Sequence, residues 1–316
     1  MMSRPEDCNV SLCSERSRSR GERTFGSVGQ QDAALLLEYP WPFGRSWAGC
    51  ERLPEPFKER ILEERRRARE TGAGLHVSVA MLRQPSRPLS GGIRFWIAVP
   101  DACDPVLYEF RLNSYEELIA FDIPGVVARA PAYDRYIRTD PLFVACTNGR
   151  KGPCCARYGM RAYNALVQQV GHLAWHSTHI GGCRFAGNVV CFPYGIYYGH
   201  VDPDDVPPIV EAYRRRCLYL EKYRGRLGLS READVAEYFL RLQTGVRELA
   251  RFRLVDVQHE TEERWRARFA SRATGELHRV EVTRTPADYE DYLSCQAIEK
   301  QRPPCYHLVT HEVLAT

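Results

Sequence analysis

CTNGRKGPCCARYG (146–159) and HIGGCRFAGNVVCFPYGIYYGHVDPDD (179–205) are the two stretches on which the fold turns. The first runs out of PLFVACT (141–147), an apolar run with strand character, so Cys146 closes a strand. Gly149, Gly152 and Pro153 make a loop, and Cys154 and Cys155 stand at the start of a helix expected over about 155–171. The second sets His179 and Cys183 either side of a Gly181–Gly182 pair, where backbone can approach a neighbour closely. A strand end, a helix start and a glycine-rich loop can converge on one point. Four donors then suit zinc as Cys3His, an iron–sulfur cluster with histidine replacing thiolate, or a reactive thiol at a helix N-terminus. Buried, inert cysteines are the plain alternative. Cys154 and Cys155 make a poor disulfide pair, because a bridge between neighbours is strained.

Outward from these motifs, WHSTHI (175–180), GNVVCFP (187–193) and GIYYGHV (195–201) read as strands, and Asp202 caps a helix with body 209–223. The order β-α-β-β-β-α is that of a thioredoxin-like layer. Upstream, AALLLEY (33–39) reads as a buried strand. A charged helix over 55–71 follows, opened by Pro54 and Pro56, with Phe57, Ile61 and Leu62 as its apolar stripe. LHVSVAML (75–82), IRFWIAV (93–99) and VLYEFRL (106–112) are strands, and Ser114 with Glu117 forms a capping box. Downstream, 231–250 reads as an amphipathic helix, and 263–270 with 276–284 as a hairpin.

Composition narrows the function. The chain has 316 residues, 44% hydrophobic and 27% charged, which is globular and long enough for two domains. No apolar run reaches the roughly 20 residues of a membrane span. The polar start, MMSRPEDCNVSLCSERSRSRGER, lacks a signal-peptide core. A cytoplasmic protein is expected. The net charge is only +4, and acids interleave with bases in KERILEERRRARE (58–70), so nucleic acid is not an expected partner. In a reducing compartment the 12 cysteines, 5 of them between 146 and 191, point to metal or redox chemistry. Residues 1–32, poor in large apolar side chains, read as a disordered tail holding Cys8 and Cys13 as loose thiols. Cys191 and Cys217 read as packing residues, Cys217 on a helix; His176 reads as surface or structural. Trp41, Phe43 and Trp47 read as core, and Cys295 and Cys305 with His307 and His311 as a weaker second metal group.

EYPWPFGR (38–45), PLFVACTNGRKGPCCARYG (141–159), HIGGCRFAGNVV (179–190) and GIYYGHVDPDDVP (195–207) together resemble the sucrase/ferredoxin-like family of thioredoxin-like proteins, over roughly 33–316. The resemblance implies an α/β fold of two thioredoxin-like halves. The first (33–135) has no site, and the second (136–225) is a thioredoxin-like ferredoxin domain. A C-terminal α+β extension (226–316) follows. It implies a 2Fe–2S cluster, with the cysteines of a C-x8-C segment on one iron and two residues of an H-x-G-G-H segment on the other. Carried onto this chain, the ligands are Cys146, Cys155, His179 and Cys183. Cys183 stands where the family's second histidine usually stands, Cys154 where an arginine is common, and Asn148 where a histidine is common. The function implied is one-electron transfer with a redox partner protein, acidic if Arg150, Lys151 and Arg184 form its docking rim, rather than catalysis. A structural zinc module, or a thiol–disulfide oxidoreductase using Cys155 or Cys154, are the alternatives. No paired carboxylates are placed for glycosidic chemistry.

Overall fold

The computed structural model describes residues 12–85 and 91–314. The chain is α/β. In sequence it forms α1 (Cys13–Ser19), β1 (Ala33–Glu38), α2 (Glu55–Thr71), β2 (Val77–Arg83), β3 (Ile93–Val99), β4 (Val106–Leu112) and the short α3 (Ile123–Val127). Then come β5 (Leu142–Cys146), α4 (Pro153–Val170), β6 (Ala174–Ser177), β7 (Val189–Phe192), β8 (Ile196–Tyr198), α5 (Val206–Arg214) and β9 (Tyr223–Arg226). The last part holds α6 (Arg231–Thr244), β10 (Phe252–His259), β11 (Arg264–Ser271), β12 (Leu277–Pro286) and β13 (Pro304–Leu314).

The first nine strands make one sheet in the order β4-β3-β1-β2-β6-β5-β7-β8-β9. Its two sides repeat a pattern. β1 pairs parallel with β2 and antiparallel with β3, and β3 antiparallel with β4. Likewise β5 pairs parallel with β6 and antiparallel with β7, and β7 antiparallel with β8. The sides are joined edge to edge rather than face to face, by antiparallel pairing of Leu82 with Ser177 and Arg83 with His176. Trp96 and Trp175 meet edge-to-face across this seam, ring centroids 5.0 Å apart. β1 and β3 are buried along their whole length, which is why they read as continuous apolar runs rather than alternating ones.

α2 covers the first side. Phe57 and Ile61 enter its core, whereas Leu62, expected in the same stripe, is exposed. α6 joins the sheet to the second, antiparallel sheet β10-β11-β12-β13, and Phe239 and Leu240 share a core with Trp265, Phe269 and Val280. The expected hairpin is therefore the middle of a four-stranded sheet. Gly245, at φ 71°, ends α6 at Thr244, six residues before the expected end. α5 ends at Arg214 rather than 223. Arg216 takes a positive φ of 56°, and the chain turns into β9, which pairs with β8. Cys217 thus lies in a bridge to Glu248, not on a helix.

From residue 12 the N-terminal stretch is ordered, contrary to the tail expectation. Phe25 and Val28 enter the core, Phe25 stacked on Tyr238, and charges hold the part before them. Glu15 pairs with Arg157 at 2.8 Å, Arg16 with Asp291 at 2.7 Å, Arg18 with Asp202 at 2.7 Å and Glu22 with Arg184 at 2.6 Å. Cys13 and Ser14 are buried beneath them. Cys8 lies outside the described residues.

Candidate metal centre

Cys146 ends β5 at the carboxyl end of the parallel pair β5–β6, the edge where open α/β sheets bind ligands. The loop 147–152 turns into α4, whose first turn holds Cys154 and Cys155. Gly159, one turn on, lets α4 cross β5. A Cβ there would sit 1.9 Å from the Cys146 carbonyl oxygen. After β6 the chain runs through His179 into a turn carrying Cys183, with Gly182 at φ 65°.

The ligand atoms of Cys146, Cys155 and His179 all lie within 4.8 Å of one another. Cys183 Sγ is 3.9 Å from Cys155 Sγ and 3.6 Å from His179 Nδ1. The four residues of the sequence expectation therefore meet at one place. The three cysteines are buried and His179 is half-buried, the opening of the group. A cavity of about 350 Å³ lies against it, lined among others by Trp47, Arg65, His179, Gly181 and Arg224.

The electrostatics favour anionic sulfur. Cys146 is held well below an ordinary thiol, first by the hydrogen bond from Cys155, against its burial, then by His179 and the Asn148 N–H. Cys183 is brought down to about 5, again first by Cys155, against burial, with His179 adding to it. Cys155, the shared donor, is pushed up. Burial opposes a charged His179, but Cys146 and Cys183 outweigh it and lift it to about 9. Three thiol sulfurs and one imidazole nitrogen, dry and close, are a donor set that fits a thiophilic metal or a 2Fe–2S cluster.

Asn148, where the family commonly has histidine, is buried and structural. Its Nδ2 donates to Gly44 O at 2.8 Å and ties the EYPWPFGR loop to the centre. His176 is buried, stacked on Tyr163 and held neutral to about pH 4 by burial. His200 is buried too, its Nε2 3.0 Å from Arg184 O. Neither histidine reaches the four donors. Cys191 is wholly buried in the core. Arg184, expected on an open docking rim, is paired with Glu22. Arg150 is exposed and Lys151 half-buried.

Arg224 is a residue that sequence reading misses. It is 2% exposed, donates to Asn188 Oδ1 at 2.8 Å and to Ser27 Oγ at 3.0 Å, and packs under Gly182, where a Cβ would meet it at 2.3 Å. Burial lowers its pKa to about 10, while Cys146 and Cys183 act to keep it charged. It lies in YRGR, which carries no motif. The signal for it is an arginine in an otherwise buried strand.

Cys154 does not join Cys155. Its sulfur lies 3.5 Å from Cys13 Sγ and 3.3 Å from Cys295 Sγ. Cys305, His307 and His311 are not part of that group. His311 pairs with His278 at 3.0 Å, and His307 lies 3.1 Å from the Thr285 hydroxyl. The expected grouping of Cys295 with Cys305 and these histidines is therefore incorrect: β13 aligns them along β12 instead.

The chain matches the sucrase/ferredoxin-like family over residues 59–225, just over half its length. It belongs to the sucrase/ferredoxin-like family. It is 33% identical over 99 residues to Altered inheritance of mitochondria protein 32 of Meyerozyma guilliermondii, a match covering 28% of this chain and 35% of that protein. The chain thus spans about a third of that relative's length. Among solved structures it is similar to a thioredoxin-like [2Fe–2S] ferredoxin from Aquifex aeolicus, with 21% identity and a TM-score of 0.25, over 28% of this chain and 94% of that one. A cysteine-to-serine variant of that ferredoxin matches at 24% identity and a TM-score of 0.21, over 24% and 88%. Among the described residues no helix is long and apolar enough to cross a membrane.

Proposed function

We propose that this sucrase/ferredoxin-like chain holds a 2Fe–2S cluster on Cys146, Cys155, His179 and Cys183 and passes single electrons between redox partner proteins. The observation that carries the reading is the meeting of three thiols and one imidazole from the end of β5, the first turn of α4 and the turn after β6. When bound, the cluster supplies one-electron redox chemistry. The chain's own residues set its surroundings. Gly159 and Gly182 bring backbone close, Arg224 sets a buried positive charge below the thiolates, and the Asn148 N–H faces Cys146. The half-buried His179 is the side from which electrons enter and leave, and Arg150, exposed on the loop between Cys146 and Cys155, favours an acidic partner.

Zinc is the second reading, favoured by the short Cys183–His179 and Cys183–Cys155 spacings, which suit one tetrahedral ion. A dithiol reading is weaker, because the neighbours Cys154 and Cys155 face different partners. Iron and acid-labile sulfide analysis of protein purified without oxygen separates these. The cluster requires about two of each per chain, bound at these four residues; zinc in their place, without sulfide, refutes the proposal.

A further inference from the structure

A second group of thiols stands beside the first. Cys13 Sγ lies 3.0 Å from Cys295 Sγ and 3.5 Å from Cys154 Sγ, and Cys154 and Cys295 are 3.3 Å apart. The triangle is nearly equilateral. Its corners come from the start of α1, the first turn of α4 and the segment between β12 and β13, 141 residues apart at each step. Cys13 and Cys154 are buried, and Cys295 is half-buried.

We infer that Cys13, Cys154 and Cys295 bind a single thiophilic cation of the zinc class, at a site separate from the four-residue centre and on the other side of the Cys154–Cys155 peptide. Three observations point to a metal rather than to packing or a disulfide. First, a disulfide joins two sulfurs at about 2.05 Å and leaves the third alone, whereas here all three edges are alike. Second, a tetrahedral zinc with sulfurs at about 2.3 Å sets them about 3.8 Å apart, and the three edges of 3.0, 3.3 and 3.5 Å lie within about 0.8 Å of that spacing. Third, the surroundings hold the corners in place. Arg16 pairs with Asp291, Glu15 accepts from both Arg157 and Tyr158, and Gln296, next to Cys295, donates to Lys151 O at 2.7 Å. The segments carrying Cys13 and Cys295 are thus fastened to α4 and to the loop before it independently of the sulfurs.

Bound as thiolates, the three sulfurs leave a fourth position on the cation. Binding releases the protons of the three thiols and changes no oxidation state. The ion would clamp α1 and the segment between β12 and β13 over the first turn of α4, the turn that also presents Cys155 to the first centre.

Metal analysis of the full chain, purified without oxygen from zinc-supplied cells, tests this. The expected result is one zinc per chain that is lost in Cys13→Ser and in Cys295→Ser, with iron and sulfide unchanged. Cobalt(II) added to zinc-free protein should give thiolate charge-transfer and tetrahedral ligand-field bands that both variants lack. Cys146→Ser should lose iron and keep this zinc, so failure of the cluster proposal leaves this result intact. Zinc content and cobalt bands unchanged by Cys13→Ser and Cys295→Ser would overturn the inference. So would peptide mapping that finds Cys13 and Cys295 joined as a disulfide in the anaerobic protein.

Discussion

Cys154 and Cys155, consecutive in the first turn of α4, serve different neighbourhoods: Cys154 Sγ is 3.3 Å from Cys295 Sγ, whereas Cys155 Sγ is 3.9 Å from Cys183 Sγ. About 100° of helical turn separates adjacent side chains, so one helix end can address two thiol groups.

That division predicts different losses. Cys155→Ala should abolish cluster assembly, leaving little visible absorption, while Cys154→Ala should keep most of it. Absorption spectra of the two variants, normalised to protein, decide the matter. The reverse pattern would move the ligand to Cys154.

Arg224 holds a positive charge beneath Cys146 and Cys183. A nearby cation favours the more negative, reduced state, so Arg224→Gln should lower the reduction potential and Arg224→Lys should restore part of it. The lost charge-assisted hydrogen bonds to Asn188 and Ser27 should also cost stability, about 1.5–3 kcal/mol each. Voltammetry and urea unfolding of the pair read both effects. Equal potentials in wild type and Arg224→Gln would leave Arg224 a purely structural role.

Stability should depend on Asp234. It is fully buried, accepts from the Tyr223 hydroxyl at 2.5 Å, and desolvation raises its pKa to about 7. In the unfolded chain the carboxyl ionises near pH 4. Between these values the folded state holds a proton that the unfolded state has released, so stability falls as pH rises through this window and is level above it. The total is on the order of a few kcal/mol. Asp234→Asn should flatten this slope in urea titrations; an unchanged slope would show that other groups produce it.

The site edge bears exposed Arg150 and half-buried Lys151, with Arg184 occupied by Glu22. Electron transfer with an acidic partner should therefore slow as salt rises. Arg150→Glu should slow it at low salt and have little effect at high salt. Stopped-flow rates that ignore both changes would remove the docking proposal.

Much of this architecture is legible in the sequence. Apolar runs such as AALLLE and LFVAC are strands because both sheet faces are covered. Ser114 and Glu117 make the expected capping box. The cysteine- and histidine-bearing loops are marked by their spacing, the choice of Cys155 over Cys154 comes from the family resemblance, and steric contact explains Gly182 against Arg224. What is not legible depends on distant partners. Local composition makes 12–22 a tail, but its order comes from Asp202, Asp291, Arg157 and Arg184, far along the chain. Cys295 finds Cys13 and Cys154 across 282 and 141 residues, with no local spacing to reveal it. The end of α5 at Arg214 is set by β9 pairing with β8, which helical periodicity does not register.

The most direct measurement is electron paramagnetic resonance of the anaerobically reduced protein, with its nitrogen hyperfine couplings resolved. A 2Fe–2S cluster on Cys146, Cys155, His179 and Cys183 gives a half-integer-spin signal carrying strong coupling from one histidine nitrogen, and that coupling disappears in His179→Cys while the signal persists. A colourless protein without any such signal after reduction, its iron replaced by zinc, would contradict it.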